Sequence, residues 1–190
     1  VNWRPPCRYV TCGQGAINRS VIIEILKQEK PDDLFIFGCS LLKKPVYSMP
    51  KKGCINIHTG LVQSFRGVDS SLWAIHDEKP EGIGATVHFV DGSIDGGEIL
   101  LQGRPDLDLN DDLDDIFFKT CKKGFQLLSE KAKDIIKGKI SSKKSKNGKL
   151  YQKKDLNKQI SEETKEKLPD ILKRYLANKK KFDSKLKLVR

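Results

Sequence analysis

The chain has 190 residues, 32% of them charged and 37% hydrophobic, and carries a net charge of +11 at pH 7. That length suffices for one domain with a sizeable core or for a core domain plus an appendage, and no apolar run reaches the roughly 18 residues of a membrane span. The five cysteines (Cys7, Cys12, Cys39, Cys54 and Cys121) are odd in number, scattered and without a CxxC pair. They argue against a disulfide framework and for a reducing, cytoplasmic setting, with the thiols in or near the core. Cys54 and His58 stand at a ligand-like spacing, but no second pair completes a tetrahedral zinc site, so no metal is expected.

Residues 1–15 mix Pro, Cys and Gly without a clear period. No basic-then-apolar segment opens them, and the first residue is a valine, so the chain reads as lacking its N-terminus. Residues 18–29 place Val21, Ile22, Ile25 and Leu26 at helical spacing, with Asn18 or Ser20 as candidate caps and Pro31 as the stop. Residues 33–38 (DLFIFG) form a short continuous apolar run between turn residues, the pattern of a strand buried on both faces in a parallel sheet. Residues 54–58 (CINIH) repeat that pattern, and residues 70–78 have the apolar spacing of a short helix.

Two further strands are expected at 83–90 and 99–102, joined by a turn holding Asp91, Gly92, Asp95, Gly96 and Gly97, and paired as an antiparallel hairpin. Residues 112–137 read as one long helix. Its apolar stripe is Leu113, Ile116, Phe117, Cys121, Phe125, Leu128, Ala132 and Ile135, with acidic residues in its first turn. Residues 138–148, rich in Lys, Ser and Gly, resemble a flexible connector, and residues 162–180 a helix interrupted near Pro169. Alternating strands and helices imply an α/β fold.

Charge is divided unevenly along the chain. Residues 131–190 hold 21 Lys or Arg against 7 Asp or Glu, a net of +14, which leaves a net of −3 on the first 130. A basic tail attracts phosphates or nucleic acid through counterion release. Here the lysines alternate with glutamates and few aromatics, which favours a solvated helical surface.

The chemistry-bearing stretch runs from Cys54 to Gln102. Asn56 and His58 alternate on one strand, so both point to the same face at its C-terminal end, where open α/β sheets bind ligands. Each polar group there needs a partner or water. Asn-x-His alone is a weak signal, and Asp95 alone is explained by its Gly-rich turn. His76 on a helix and His88 within a strand read as structural.

Taken in order, Asn56, His58, Gly67, Trp73, Ala74, the VHFV strand at 87–90, Asp95, Gly97 and the ILLQ strand at 99–102 resemble the folate-dependent formyltransferase family over roughly residues 17–137. The HTG and RGVDS-W segments look most like the branch that formylates amino groups of nucleotide-linked sugars. The loop TGLVQSFRG departs from the PSLLP-type run of glycinamide ribonucleotide and methionyl-tRNA formyltransferases, and the fold's first strand and helix have no counterpart here.

The resemblance implies a Rossmann-like α/β fold with a mostly parallel sheet over residues 1–137, followed by a basic linker and a Lys-rich, mainly helical tail at 138–190. It implies 10-formyltetrahydrofolate as cosubstrate, an amine acceptor most similar to a nucleotide-linked amino sugar, and leaves homodimerisation open. Asn56 and His58 would hydrogen-bond the oxygen that gains charge, while Asp95 would orient His58 and favour its protonated form. Gly38, Cys39, Ser40, Leu41 and Leu42, together with Val90, Asp91 and Asp95, would flank the pterin. Arg66 and Gly67 would meet the acceptor, Arg66 as a donor to phosphate.

Overall fold

The computed structural model describes residues 7, 10–144, 146 and 148–189. A four-stranded sheet is built from β1 (Asp33–Ile36), β2 (Gly53–His58), β4 (Ala85–Phe89) and β5 (Ile99–Gly103), in the order β1-β2-β4-β5. β3 (Phe65–Gly67) pairs separately with β6 (Lys149–Tyr151). The longer helices are α1 (Ser20–Glu29), α4 (Leu113–Ile136) and α5 (Lys158–Ala177), and the shorter ones α2 (Lys44–Tyr47), α3 (Ser70–His76) and α6 (Lys179–Ser184).

The α/β class is as expected, but the sheet is mixed rather than mostly parallel. β1 and β2 run parallel, whereas β2–β4 and β4–β5 are antiparallel. The nine residues between β4 and β5 allow only a hairpin, since a parallel return needs a crossover of a dozen residues or more. β1 is also less enclosed than its apolar run suggests. It is the edge strand among the described residues, and Phe35 is 38% exposed.

α4 begins where its acidic turn predicts. Asp112 accepts from the Asp115 N–H and Asp115 accepts from the Asp112 N–H, closing a capping box. Its packed face is rotated from the expected stripe. Ile116, Thr120, Gly124 and Ile135 are buried, while Phe117 and Phe125 are exposed. The cause is close approach: a Cβ on Gly124 would lie 2.5 Å from Ile57 Cγ2 on β2, so only glycine lets the helix sit this near the sheet. Gly124→Ala is expected to destabilise the fold by about 1–3 kcal/mol through overpacking, read as a lowered midpoint in urea with an unchanged slope.

α1 is capped by Arg19 without a side-chain bond, not by Asn18 or Ser20. Asn18 instead donates to Leu41 O and accepts from Lys43 N–H, tying the start of α1 to the loop after β1. α5 is unbroken at Pro169. The missing hydrogen bond and ring clash cost about 3 kcal/mol. Burial of Leu168, Ile171, Leu172 and Tyr175 offsets that at about 1.5–3 kcal/mol per large apolar side chain. These residues share one hydrophobic cluster with Phe65, Trp73, Ile75 and Tyr151, so residues 149–177 pack on the elements that frame β2. Trp73 stacks on Tyr151 with ring centroids 3.8 Å apart.

Among the described residues, all five cysteines are free. Cys54 is buried, its thiol raised to about 11 by burial and then by Cys39, but Cys7, Cys12 and Cys39 are exposed rather than in the core. No helix among these residues is long and apolar enough to cross a membrane, and no cluster of His, Cys, Asp and Glu is suited to hold a metal.

Candidate active site

The end of β2 delivers Asn56 and His58, and the turn after β4 returns Asp95 to meet them. Asp95 has φ 48°, a left-handed conformation that Asp tolerates better than most residues. Its Oδ2 accepts from the Gly67 N–H at 2.9 Å and lies 3.3 Å from His58 Nδ1. Its Oδ1 accepts from Asn56 Nδ2 at 3.3 Å and lies 3.5 Å from His88 Nε2. The three residues singled out in the sequence therefore meet, with Asp95 as the hub.

His88, read from sequence as structural, belongs to the same cluster. Antiparallel register sets it opposite Asn56, and its Nε2 is 3.2 Å from Asn56 Nδ2. Its Nδ1 is 2.8 Å from Phe89 O. A carbonyl only accepts, so Nδ1 carries the proton and Nε2 of the neutral ring accepts from Asn56. A histidine inside a buried-type strand was the available signal. Its meaning depended on knowing that β2 and β4 pair. His76, by contrast, is structural as expected: Nδ1 is 3.2 Å from Thr164 Oγ1, between α3 and α5.

His58 is 6% exposed, and its Nε2 lies 3.0 Å from Ser70 Oγ and 3.3 Å from Phe65 O. Burial lowers its pKa, an effect that the Asp95 charge opposes only partly and His88 reinforces. The neutral ring is thus favoured by burial, although the Asp95 charge pulls toward the protonated form. In the His58 ring Nδ1 faces the Asp95 carboxylate, and Nε2 faces both the Ser70 hydroxyl, which can donate or accept, and the Phe65 carbonyl. Burial also opposes ionisation of Asp95, but its neighbours, above all any positive charge on His58, and the Gly67 N–H outweigh it and lower the carboxyl. With His58 neutral, the Gly67 and Asn56 donors still support the carboxylate without a counter-charge.

Two acid-sensitive windows follow. His58, whose pKa is lowered on folding, withdraws stability as pH falls below its unfolded value near 6.5, because the unfolded chain takes up a proton that the folded site resists. Asp95, whose pKa is lowered on folding, contributes stability that is present above its unfolded value near 3.8 and is lost as pH falls through its lower folded value. Thermal melts across pH are expected to show both losses, the lower one missing in Asp95→Asn. An undiminished lower step in that variant would assign it to other carboxylates.

Gly38, Cys39, Ser40, Leu41, Leu42, Val90 and Asp95 line a cavity of about 500 Å³ together with Asn56, His58, Gly67 and His88. Asp91 is not among its lining residues. Its carboxylate accepts from the Ser93 N–H and hydroxyl and so closes the turn. Arg66 does not line the cavity either. Its guanidinium donates to Gly148 O and Ile94 O, clamping the Asp95 turn against the segment before β6, where acceptor phosphate had been expected. The cavity combines apolar walls at Ile36, Leu41, Leu42 and Val90 with backbone polar groups of two loops, a lining that fits a flat heteroaromatic ring.

The fold and cluster define an α/β protein with an amide, imidazole and carboxylate gathered at the C-terminal end of a central strand. The chain belongs to the formyl transferase family, whose profile matches residues 15–132. A methionyl-tRNA formyltransferase of Kosmotoga olearia is 32% identical over 66% of this chain and 40% of its own length. The chain therefore spans less than half of that curated relative. A sugar N-formyltransferase from a Shewanella species superposes with a TM-score of 0.65 at 19% identity, over 78% of this chain and 63% of that one. A formyltransferase from Anoxybacillus kamchatkensis, solved with UDP-4,6-dideoxy-4-formamido-L-AltNAc and tetrahydrofolate, superposes with a TM-score of 0.61 at 23% identity, over 74% and 78%.

Proposed function

We propose that this chain transfers a formyl group from 10-formyltetrahydrofolate to a primary amine, and that the acceptor is an amino group of a nucleotide-linked sugar. The observation that carries the reading is the joining of Asn56 and His58 through one half-buried, ionised Asp95, with His88 beside it, at a cavity suited to a pterin. Family membership supports formyl transfer, and the structural likeness to enzymes of amino sugars supports the acceptor.

The folate supplies the electrophilic formyl carbon. The amine adds there, a new C–N bond forms, the bond to the folate nitrogen breaks, and one proton passes from the incoming to the departing nitrogen. Negative charge grows on the formyl oxygen as the amine adds. Asn56 is the candidate donor to it, and losing such a donor costs about 10²–10³ in turnover. Asn56 Nδ2 is occupied by His88 and Asp95, so donation requires releasing one of these. Proton transfer falls to the His58–Asp95 pair, which a neutral imidazole suits because it can still accept.

Methionyl-tRNA is the second reading, favoured by the curated sequence relatives. The two are separated by supplying 10-formyltetrahydrofolate with either nucleotide-linked amino sugars or charged initiator tRNA. Formylated sugar supports the proposal, formylated tRNA replaces it, and transfer surviving His58→Ala removes that residue from the mechanism.

A further inference from the structure

His58 turns one ring nitrogen to Asp95 and the other to β3 and the start of α3. At Nδ1 the partner is a carboxylate held ionised, which only accepts. At Nε2 two groups compete. Phe65 O, at 3.3 Å, only accepts, whereas Ser70 Oγ, at 3.0 Å, accepts or donates. A protonated Nε2 can therefore use either, but a bare Nε2 is served by Ser70 alone of the two. Close packing fixes the contact. A Cβ on Gly60 would fall 2.6 Å from His58 Nε2 and 2.8 Å from Ser70 Oγ, so glycine is what lets ring and hydroxyl meet. The Gly60 carbonyl is held in place by the Thr86 hydroxyl at 2.6 Å.

We infer that Ser70 is a positioning residue for the reaction: its hydroxyl donates to His58 Nε2 and so places the neutral ring's proton on Nδ1, facing Asp95. The inference deepens the formyl-transfer reading and rests on it, since the His58–Asp95 pair is there assigned the proton transfer. Ser70 is 1% exposed and is not among the residues lining the catalytic cavity, so it acts through His58 and not on a ligand. Without the hydroxyl, Nε2 is left with Phe65 O, and only a protonated Nε2 suits a carbonyl. The ring then either moves its proton away from Asp95 or stays charged to higher pH. The titratable groups that face the ring are Asp95, which favours its charged form, and His88, which opposes it.

The test is imidazole nitrogen NMR of the whole chain across pH, with His76 as internal reference. Neutral His58 is expected to show a protonated Nδ1 and a bare Nε2. Ser70→Ala is expected to convert Nε2 to the protonated type, and Ser70→Thr, which keeps the hydroxyl, to leave it bare. A protonated Nε2 on the neutral ring of the unaltered chain overturns the inference, and this spectrum decides by itself should Ser70→Ala not fold. A Ser70→Ala ring that keeps the original pattern overturns it too. In a transfer assay, Ser70→Ala is expected to lose at least about tenfold in kcat with the KM for 10-formyltetrahydrofolate unchanged, and Ser70→Thr to recover it. An unchanged kcat in Ser70→Ala removes the residue from the reaction. The ring signals need no substrate, so absence of transfer in the unaltered chain would sink the formyl-transfer reading, while the spectrum alone decides the pairing of Ser70 with His58.

Discussion

Asp95→Asn is expected to lower formyl transfer by about 10²–10⁴, the range that a positioned acid–base group supplies. Asn keeps the left-handed backbone and can still accept from the Gly67 N–H, so the fold should survive while the charge is lost. With its amide oxygen at the Oδ2 position, Asn also still faces His58 Nδ1, whereas an NH2 in place of Oδ1 no longer accepts from Asn56 Nδ2. Saturation kinetics should place the loss in kcat, with tetrahydrofolate binding retained. Wild-type turnover in Asp95→Asn would remove Asp95 from the chemistry, and a collapsed melting temperature would make its role structural.

Gly67→Ala is expected to destabilise the protein by more than about 4 kcal/mol, lowering the melting temperature by about 10 °C or more. Gly67 has φ +88°, which an L side chain rarely adopts, and a Cβ there would fall 1.9 Å from Tyr151 O. Relief requires parting β3 from β6, and with it the stack of Trp73 on Tyr151. The same shift withdraws the Gly67 N–H from Asp95, so the little protein that folds should also have lost activity. A variant as stable as the parent would mean that β3 and β6 separate freely and contribute little. The role given to Gly67 from sequence, contact with the acceptor, is thus joined by a backbone role.

The helix at 112–137 was legible because periodicity and an acidic cap are local signals, and α4 starts at the capping residue. The β4–β5 hairpin was legible for the same reason, a Gly-rich turn between two short apolar runs. Strand alternation placed Asn56 and His58 on one face, but Asp95 was joined to them by the ordered resemblance to the formyltransferase family, not by a local signal. The continuity of α5 through Pro169 was not legible, since the side chains that compensate for the proline pack against α3 and the β3–β6 pair. Nor was the direction of the His58 pKa, which depends on how completely other elements exclude water.

The sequence by itself determined the α/β class, the placing of most elements and the shared face of Asn56 and His58, because these depend on neighbours a few residues apart, while the ordered family motifs pointed to Asp95. Tertiary structure decided what depends on partners distant in the chain. Register across β2 and β4 recruited His88, and two backbone carbonyls claimed Arg66. Contact across the core turned α4 onto its Gly124 face and made α5 part of the frame around the site. Strand register, backbone acceptors and close packing are set only when remote segments meet, and no local pattern records which segments those will be.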